Sequence, residues 1–220
     1  MRPAQAIPLF GMLLLGAAVV AAGPAPADVP PDAGAPAAAA AGAAPSAAPE
    51  VVRARAAPEV VRARAAVAAF AATLQGELKN AIAAGGPVNG IKVCAERAPA
   101  IAHEVGTAHG LAIGRTSLKN RNPANTPDAW ERAAMSRFEQ DRQAGADPAT
   151  LEAVVHTAIE GRPVTRYMKA IVTQPLCTTC HGATLAPEVE AALRDFYPAD
   201  AARGFAPGDL RGAFTVTLDR

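Results

Sequence analysis

Excess charge of either sign is missing from this chain: 21 Lys and Arg face 20 Asp and Glu, a formal net charge of +1. Without a basic field there is no electrostatic footprint for nucleic acid or another polyanionic partner. Thiols are scarce too, with three cysteines. Only one Cys-x-x-Cys pair is present, Cys177 and Cys180. The second Cys or His pair of a common zinc site is lacking. No parallel βαβ pattern surrounds the pair, so the frame of a thioredoxin-like oxidoreductase is missing as well. Half of the residues are apolar, but much of that is alanine, which adds little burial per residue. The length suffices for one ordinary domain with a real core.

What is there divides the chain into four parts. Residues 1–22 read as a signal peptide. Arg2 opens an uncharged run from Ala6 to Ala22 centred on Leu13, Leu14 and Leu15, and Val20-Ala21-Ala22 offers small residues for cleavage, with Ala25-Pro26-Ala27 a second candidate. The run is a little shorter than the ~20 residues that span a bilayer, and Pro8, Gly11 and Gly16 weaken it as a helix. The expectation is an exported, periplasmic or extracellular protein, tied to a membrane only if this segment stays uncleaved. Residues 23–48 are almost entirely Ala, Pro and Gly, a composition that cannot offset its ordering entropy, and read as a disordered tether. Residues 49–66 repeat the nonapeptide PEVVRARAA, from Pro49 to Ala57 and from Pro58 to Ala66. Two copies are too few for a solenoid, and a solvated helical extension is expected. Residues 67–220 hold the domain.

Within that domain Phe70, Leu74, Leu78 and Ile82 form one helical stripe, ended by Gly85-Gly86-Pro87. Cys94, Ala98, Ile101 and Val105 form the next, with a kink or break expected at Pro99. The stretch 106–126 reads as an ordered loop with a short strand. Thr126 is expected to cap a helix carrying Trp130, Ala134 and Phe138 and closed by Gly145. Residues 152–172 read as a hairpin turning at Glu160-Gly161-Arg162-Pro163. A short helix from Pro187 is expected to bury Val189, Leu193, Phe196 and Tyr197. Ala206-Pro207-Gly208-Asp209 is a turn, across which Asp209 and Arg211 can pair. Phe214 to Leu218 alternate as a strand. Helices and strands are segregated, which favours an α+β fold with an antiparallel sheet and an N-terminal helix.

The chemistry concentrates in Cys177-Thr178-Thr179-Cys180-His181. Two sulfurs at this spacing can form thioethers with the two vinyl groups on one porphyrin edge, and the adjacent imidazole then meets the iron. The expected cofactor is one covalently held haem c. No Met, Cys or His follows His181, so a second axial group has to come from upstream. The candidates are Cys94, His103, His109, His156, Met135 and Met168, and an empty position is also open. An unpaired cysteine otherwise behaves as a small buried hydrophobe. Arg115, Lys119 and Arg121 crowd one loop and can pair with haem propionates or stand as solvated charges. Arg166 and Tyr167 are weaker candidates for the same task. Trp130, Phe138 and Phe214 can pack on a porphyrin plane or in the core.

Four separated segments carry a resemblance: VCAERAPAIA (Val93 to Ala102), GRTSLKNRNPANTPDAWE (Gly114 to Glu131), CTTCHG (Cys177 to Gly182) and GFAPGDLRGAFTV (Gly204 to Val216). Together they resemble a family of single-haem c-type domains with a PAS-like fold, formerly a domain of unknown function, found alone in exported proteins and as the sensor module of some histidine kinases. The resemblance spans roughly Val67 to Leu218. It implies a PAS-like antiparallel sheet with flanking helices, and iron held by His181 and by the thiolate of Cys94. A thiolate donates electron density and favours the ferric state, so reduction weakens its bond and opens the iron to a gas or another side chain. A redox or diatomic-gas sensor is therefore expected, working through a redox or signalling partner protein. Periplasmic electron transfer is the alternative. An enzyme such as a peroxidase would need an open iron face with a distal His156 or His109, and is not expected.

Overall fold

Proline opens the first helix. It has no amide hydrogen to contribute, and the first helical position needs none. The computed structural model describes residues 57–219, and in it α1 spans Pro58–Lys92. The expected signal segment, the tether and the first repeat copy up to residue 56 lie outside the described residues. The second copy is no solvated extension. Its Val60, Ala63 and Ala66 are fully buried. Val60 and Ala63 pack with Val67 on Tyr167, Val216 and Leu218 of the sheet. The stripe continues through Phe70 and Leu74, so the folded unit starts ahead of Val67. The other valine of the pair, Val61, faces outward at 54% exposure, as do Pro58, Arg62 and Ala65. The alanines are small enough to let the helix lie close to the sheet.

The helical path breaks where glycines stand. Gly85 and Gly86 leave helical geometry, and Gly86 takes φ 75°, a region closed to most side chains. Pro87 then restarts the helix, and Gly90 packs back against Leu78 and Ile82. A wide π-turn, Val93–Arg97, follows. From it α2 runs over Ala98–His109 and closes on Gly110 in the left-handed region. The break expected at Pro99 is thus a widened turn just before it.

The strand expected within 106–126 is β1, Ala112–Thr116. The next helix, α3, spans Ala129–Gln143 and is capped by Asp128, not Thr126. Asp128 accepts from the Glu131 amide at 2.8 Å, and Glu131 accepts from the Asp128 amide at 3.1 Å. Thr126 spends its hydroxyl on the Pro123 carbonyl. The hairpin pairs β2, Glu152–Ile159, with β3, Arg162–Val172. Its two central turn residues, Glu160 and Gly161, have φ 51° and 77°, the left-handed pair that matches the twist of the strands.

After β3 comes the cysteine segment, with a short helical turn, α4, over Thr178–His181. Helix α5, Pro187–Phe196, buries Val189 and Leu193, and Tyr197 follows them inward. Phe196 falls off that face and is 36% exposed. The last strand, β4, Leu210–Asp219, is central, in the order β1-β4-β3-β2, antiparallel throughout.

One sheet face carries Tyr167, Phe214, Val216 and Leu218 under α1 and α2. The other carries Met168, Ala170 and Ala213 under Ala134, Met135 and Phe138 of α3. Segregated helices over an antiparallel sheet make the α+β fold that the sequence pattern implies. Among the described residues no helix is long and apolar enough to cross a membrane.

Candidate functional site

A cavity of about 870 Å³ opens between α1, α2, β1 and the cysteine segment. That is near the upper end of ligand pockets, roughly 300–1,000 Å³. Its walls are apolar, with Phe70, Leu74, Leu78, Ile91, Ile113 and Phe214 among them. Cys94, Cys177, Cys180 and His181 all line it. The three cysteines are unpaired. Among the described residues no group of three or more His, Cys, Asp or Glu stands together as a metal cage.

Local structure aims the motif. Pro175–Cys177 form a tight turn ahead of α4, and Thr178 returns its hydroxyl to the Pro175 carbonyl at 2.7 Å. The next loop then binds α4 from outside. Phe205 donates its amide to the His181 carbonyl at 2.9 Å, and Gly204 donates to Gly182 at 3.0 Å. His181 Nδ1 lies 2.9 Å from the Ala202 carbonyl. A carbonyl only accepts, so Nδ1 carries the proton and Nε2 keeps a free lone pair. Burial, with Arg211 and Arg121 nearby, drives the His181 pKa down to about 3. The imidazole is therefore neutral and able to ligate across the physiological range. Burial pushes the Cys180 thiol up, which favours the neutral thiol over the thiolate.

The cationic end of the cavity differs from the expected one. Arg115 lines it, with its guanidinium 5.7 Å from the Phe70 ring centre. Lys119 does not line it. Its ammonium bonds the Arg203 carbonyl at 2.9 Å and sits over Phe205. Arg121 reaches the wall but is committed elsewhere. It pairs with Asp200 at 2.9 Å and donates to the carbonyls of Cys180 at 2.5 Å and Ala202 at 3.2 Å. Arg121 is thus the clamp behind the motif.

Arg211 is the residue the sequence reading missed. It makes no pair with Asp209, which instead accepts from the Ala206 amide across its turn. Arg211 lines the cavity, donates to Ser117 Oγ at 3.1 Å and leaves its buried Nε without a partner. Burial, then Arg121 and Arg115, lowers its pKa to about 10. Among the described residues neither Arg115 nor Arg211 forms a salt bridge, though both face an apolar cavity. Two such cations call for an anion. The signal was present as an arginine beside a glycine, Gly212, near the start of β4, but nothing local showed which way it points.

Of the remaining candidates, His103 alone stands at the cavity and the others fall away from it. Met168 and Met135 are buried on the opposite sheet face. His156 is exposed on β2 with Nδ1 2.9 Å from Thr165 Oγ1. His109 is not part of the wall, while His103 is exposed along it. Arg166 stacks on Trp130 at 4.5 Å and pairs with Asp128 and Glu131. Trp130 and Phe138 lie on the α3 face with the methionines, and Tyr167 packs against α1.

A family model described as Tll0287-like matches residues 46–218. Among solved structures the chain is similar to that of the cyanobacterial heme-protein Tll0287, with a TM-score of 0.51 and 23% identity over 81% of this chain and 98% of that one. No curated protein matches.

Proposed function

This chain belongs to the Tll0287-like family, and from that premise we propose that it is an exported c-type haem protein that senses redox state or a diatomic gas. One observation carries the reading. Cys177, Cys180 and His181 share one apolar cavity with Cys94, and the His181 tautomer is set by the Ala202 carbonyl. Export is supported by the pattern of residues 1–22, outside the described part. That the solved relative is a heme-protein supports the cofactor.

Cys177 and Cys180 would hold the haem covalently, and His181 Nε2 and Cys94 Sγ would hold its iron. Bound there, the haem supplies one-electron redox chemistry and a place for a small gas. The chain's own groups determine how that chemistry responds. Ala202 keeps the proton on Nδ1 and so keeps Nε2 basic toward a metal. Cys94 contributes a negative charge beside the cofactor when deprotonated, which favours the oxidised state. Arg115 and Arg211 offer the charge that propionates need, and Phe70 and the aliphatic wall exclude water.

The test is the ferric EPR and absorption spectrum of the purified chain beside Cys94→Ala. A low-spin thiolate signature, lost in the variant, is expected. An unchanged spectrum would remove Cys94 from the iron. Carbon monoxide added to the reduced protein addresses the sensor role, because an electron shuttle with fixed ligands binds it slowly or not at all.

A further inference from the structure

We propose that Arg121 is a positioning residue that tempers the His181 imidazole through the Ala202 carbonyl and so raises the reduction potential of the site, an inference that rests on the reading of His181 as an iron ligand. A carbonyl oxygen carries two lone pairs. At Ala202 both are in use. His181 Nδ1 donates at 2.9 Å. Arg121 Nη2 donates at 3.2 Å, in a buried contact. The same nitrogen reaches the Cys180 carbonyl at 2.5 Å, one residue ahead of His181. The guanidinium thus bridges the backbone that carries the imidazole and the backbone that faces it.

Two donors on one oxygen compete. A charged donor draws the carbonyl's electron density more strongly than a neutral one, and away from water that pull is not screened. Less density is left for the Nδ1 proton. The imidazole then holds that proton more firmly, and Nε2 gives less charge to a metal than it would beside a carbonyl with one donor. Arg121 thereby works against Cys94, whose thiolate favours the oxidised state.

The surroundings hold Arg121 to this task. It is buried, with its guanidinium 6.0 Å from the Tyr197 ring centre. Asp200 accepts from it at 2.9 and 3.3 Å and takes the Ala202 amide at 2.9 Å, which fixes the loop that presents the carbonyl. Asp200 also balances the charge of Arg121, so what reaches Ala202 is chiefly the hydrogen bond and not a net field. Arg203 offers the contrast. It pairs with the same carboxylate through Nε at 3.0 Å and otherwise points to Glu190.

The experiment measures the midpoint potential of the haem-loaded chain by spectroelectrochemical titration. It compares the wild type, Arg121→Met, Arg121→Met with Asp200→Leu, and Arg203→Gln. Covalent haem content and far-UV circular dichroism report attachment and fold, and the absorption spectrum of His181→Ala reports the ligand. In both Arg121 variants the reduction equilibrium should move about tenfold toward the oxidised form, the lower end for loss of such a partner, which is ~59 mV downward for one electron. Arg203→Gln should keep the wild-type value. The double variant removes one charge of each sign, so a drop there follows from the lost hydrogen bond and not from lost charge. It also carries the test if Arg121→Met alone loses its fold or its haem. An unmoved or raised potential in the double variant overturns the inference while leaving the ligand reading intact, as does an equal drop in Arg203→Gln. Loss of fold or haem in both Arg121 variants also overturns it, since Arg121 would then act on stability alone. A His181→Ala spectrum identical to wild type removes the ligand reading itself.

Discussion

Replacing Arg121 by methionine removes the clamp behind the cysteine motif. Arg121 is buried, and Asp200 is buried further, with its side chain 3% exposed. The substitution removes two bonds to Asp200, at 2.9 and 3.3 Å, and those to the Cys180 and Ala202 carbonyls. Removing one partner of a buried pair costs about 3–5 kcal/mol, because a charge is left uncompensated. Asp200 keeps the Arg203 Nε at 3.0 Å and the Ala202 amide at 2.9 Å, which places the loss near the lower end, about 3 kcal/mol. For a domain of this size that lowers Tm by roughly 6–12 °C. Thermal and urea unfolding of the haem-loaded chain measure it. The pH dependence supplies an internal check. Burial works to raise the Asp200 carboxyl, but hydrogen bonds from Arg121 and the Ala202 amide outweigh it, and its pKa lies below the ordinary value. A carboxyl lowered on folding stabilises above its unfolded pKa, and the contribution is lost as pH falls through the folded one. The wild type should therefore shed this contribution in acid, and Arg121→Met should shed less. Arg121→Met with Asp200→Leu should recover part of the loss, since no buried charge then stands alone. A loss under about 1 kcal/mol at neutral pH, the size of a surface pair, would refute the clamp.

Met168→Leu and His156→Ala should leave the ferric spectrum unchanged, because neither side chain lines the cavity; a changed spectrum in either would show that the iron's surroundings are wrongly assigned. The Glu152 carboxyl is lowered despite its burial, chiefly through Arg64, and pairs with it at 2.8 Å. Glu152→Gln should cost about 1 kcal/mol at pH 7, since Arg64 is partly exposed. The difference from wild type should shrink as pH falls below the ordinary glutamate pKa and vanish below the lower folded one, as read by Tm against pH. Gly161→Ala puts a side chain on a turn residue at φ 77° and should lower stability by about 1 kcal/mol in urea unfolding; an unchanged midpoint would mean the turn relaxes.

Several elements were legible because they depend on neighbours in the chain. The Glu160-Gly161 turn needs residues that accept left-handed backbone, and the pattern around it names them. The alternation of Phe214 to Leu218 marks a strand with one face on Tyr167 and α1. The repeat shows the limit. PEVVRARAA reads as a polar helix with two valines, and nothing in it says that Tyr167 and Leu218 will cover one of them. The cap went to Asp128 in place of Thr126 because Glu131 completes a reciprocal pair with it, a choice between residues two apart that composition alone does not decide.

The sequence by itself determined the spacing of Cys177, Cys180 and His181, since the backbone holds them three and one residue apart whatever the rest of the chain does. Tertiary structure decided what surrounds them. Arg121 and Asp200 meet across 79 residues and Arg211 and Ser117 across 94. Which cation clamps the motif, which faces the cavity, and that Cys94 lines the wall while Met168 lies behind the sheet follow from the packing of faces. Such pairings depend on how distant segments bury their apolar surface together, and no local spacing records that.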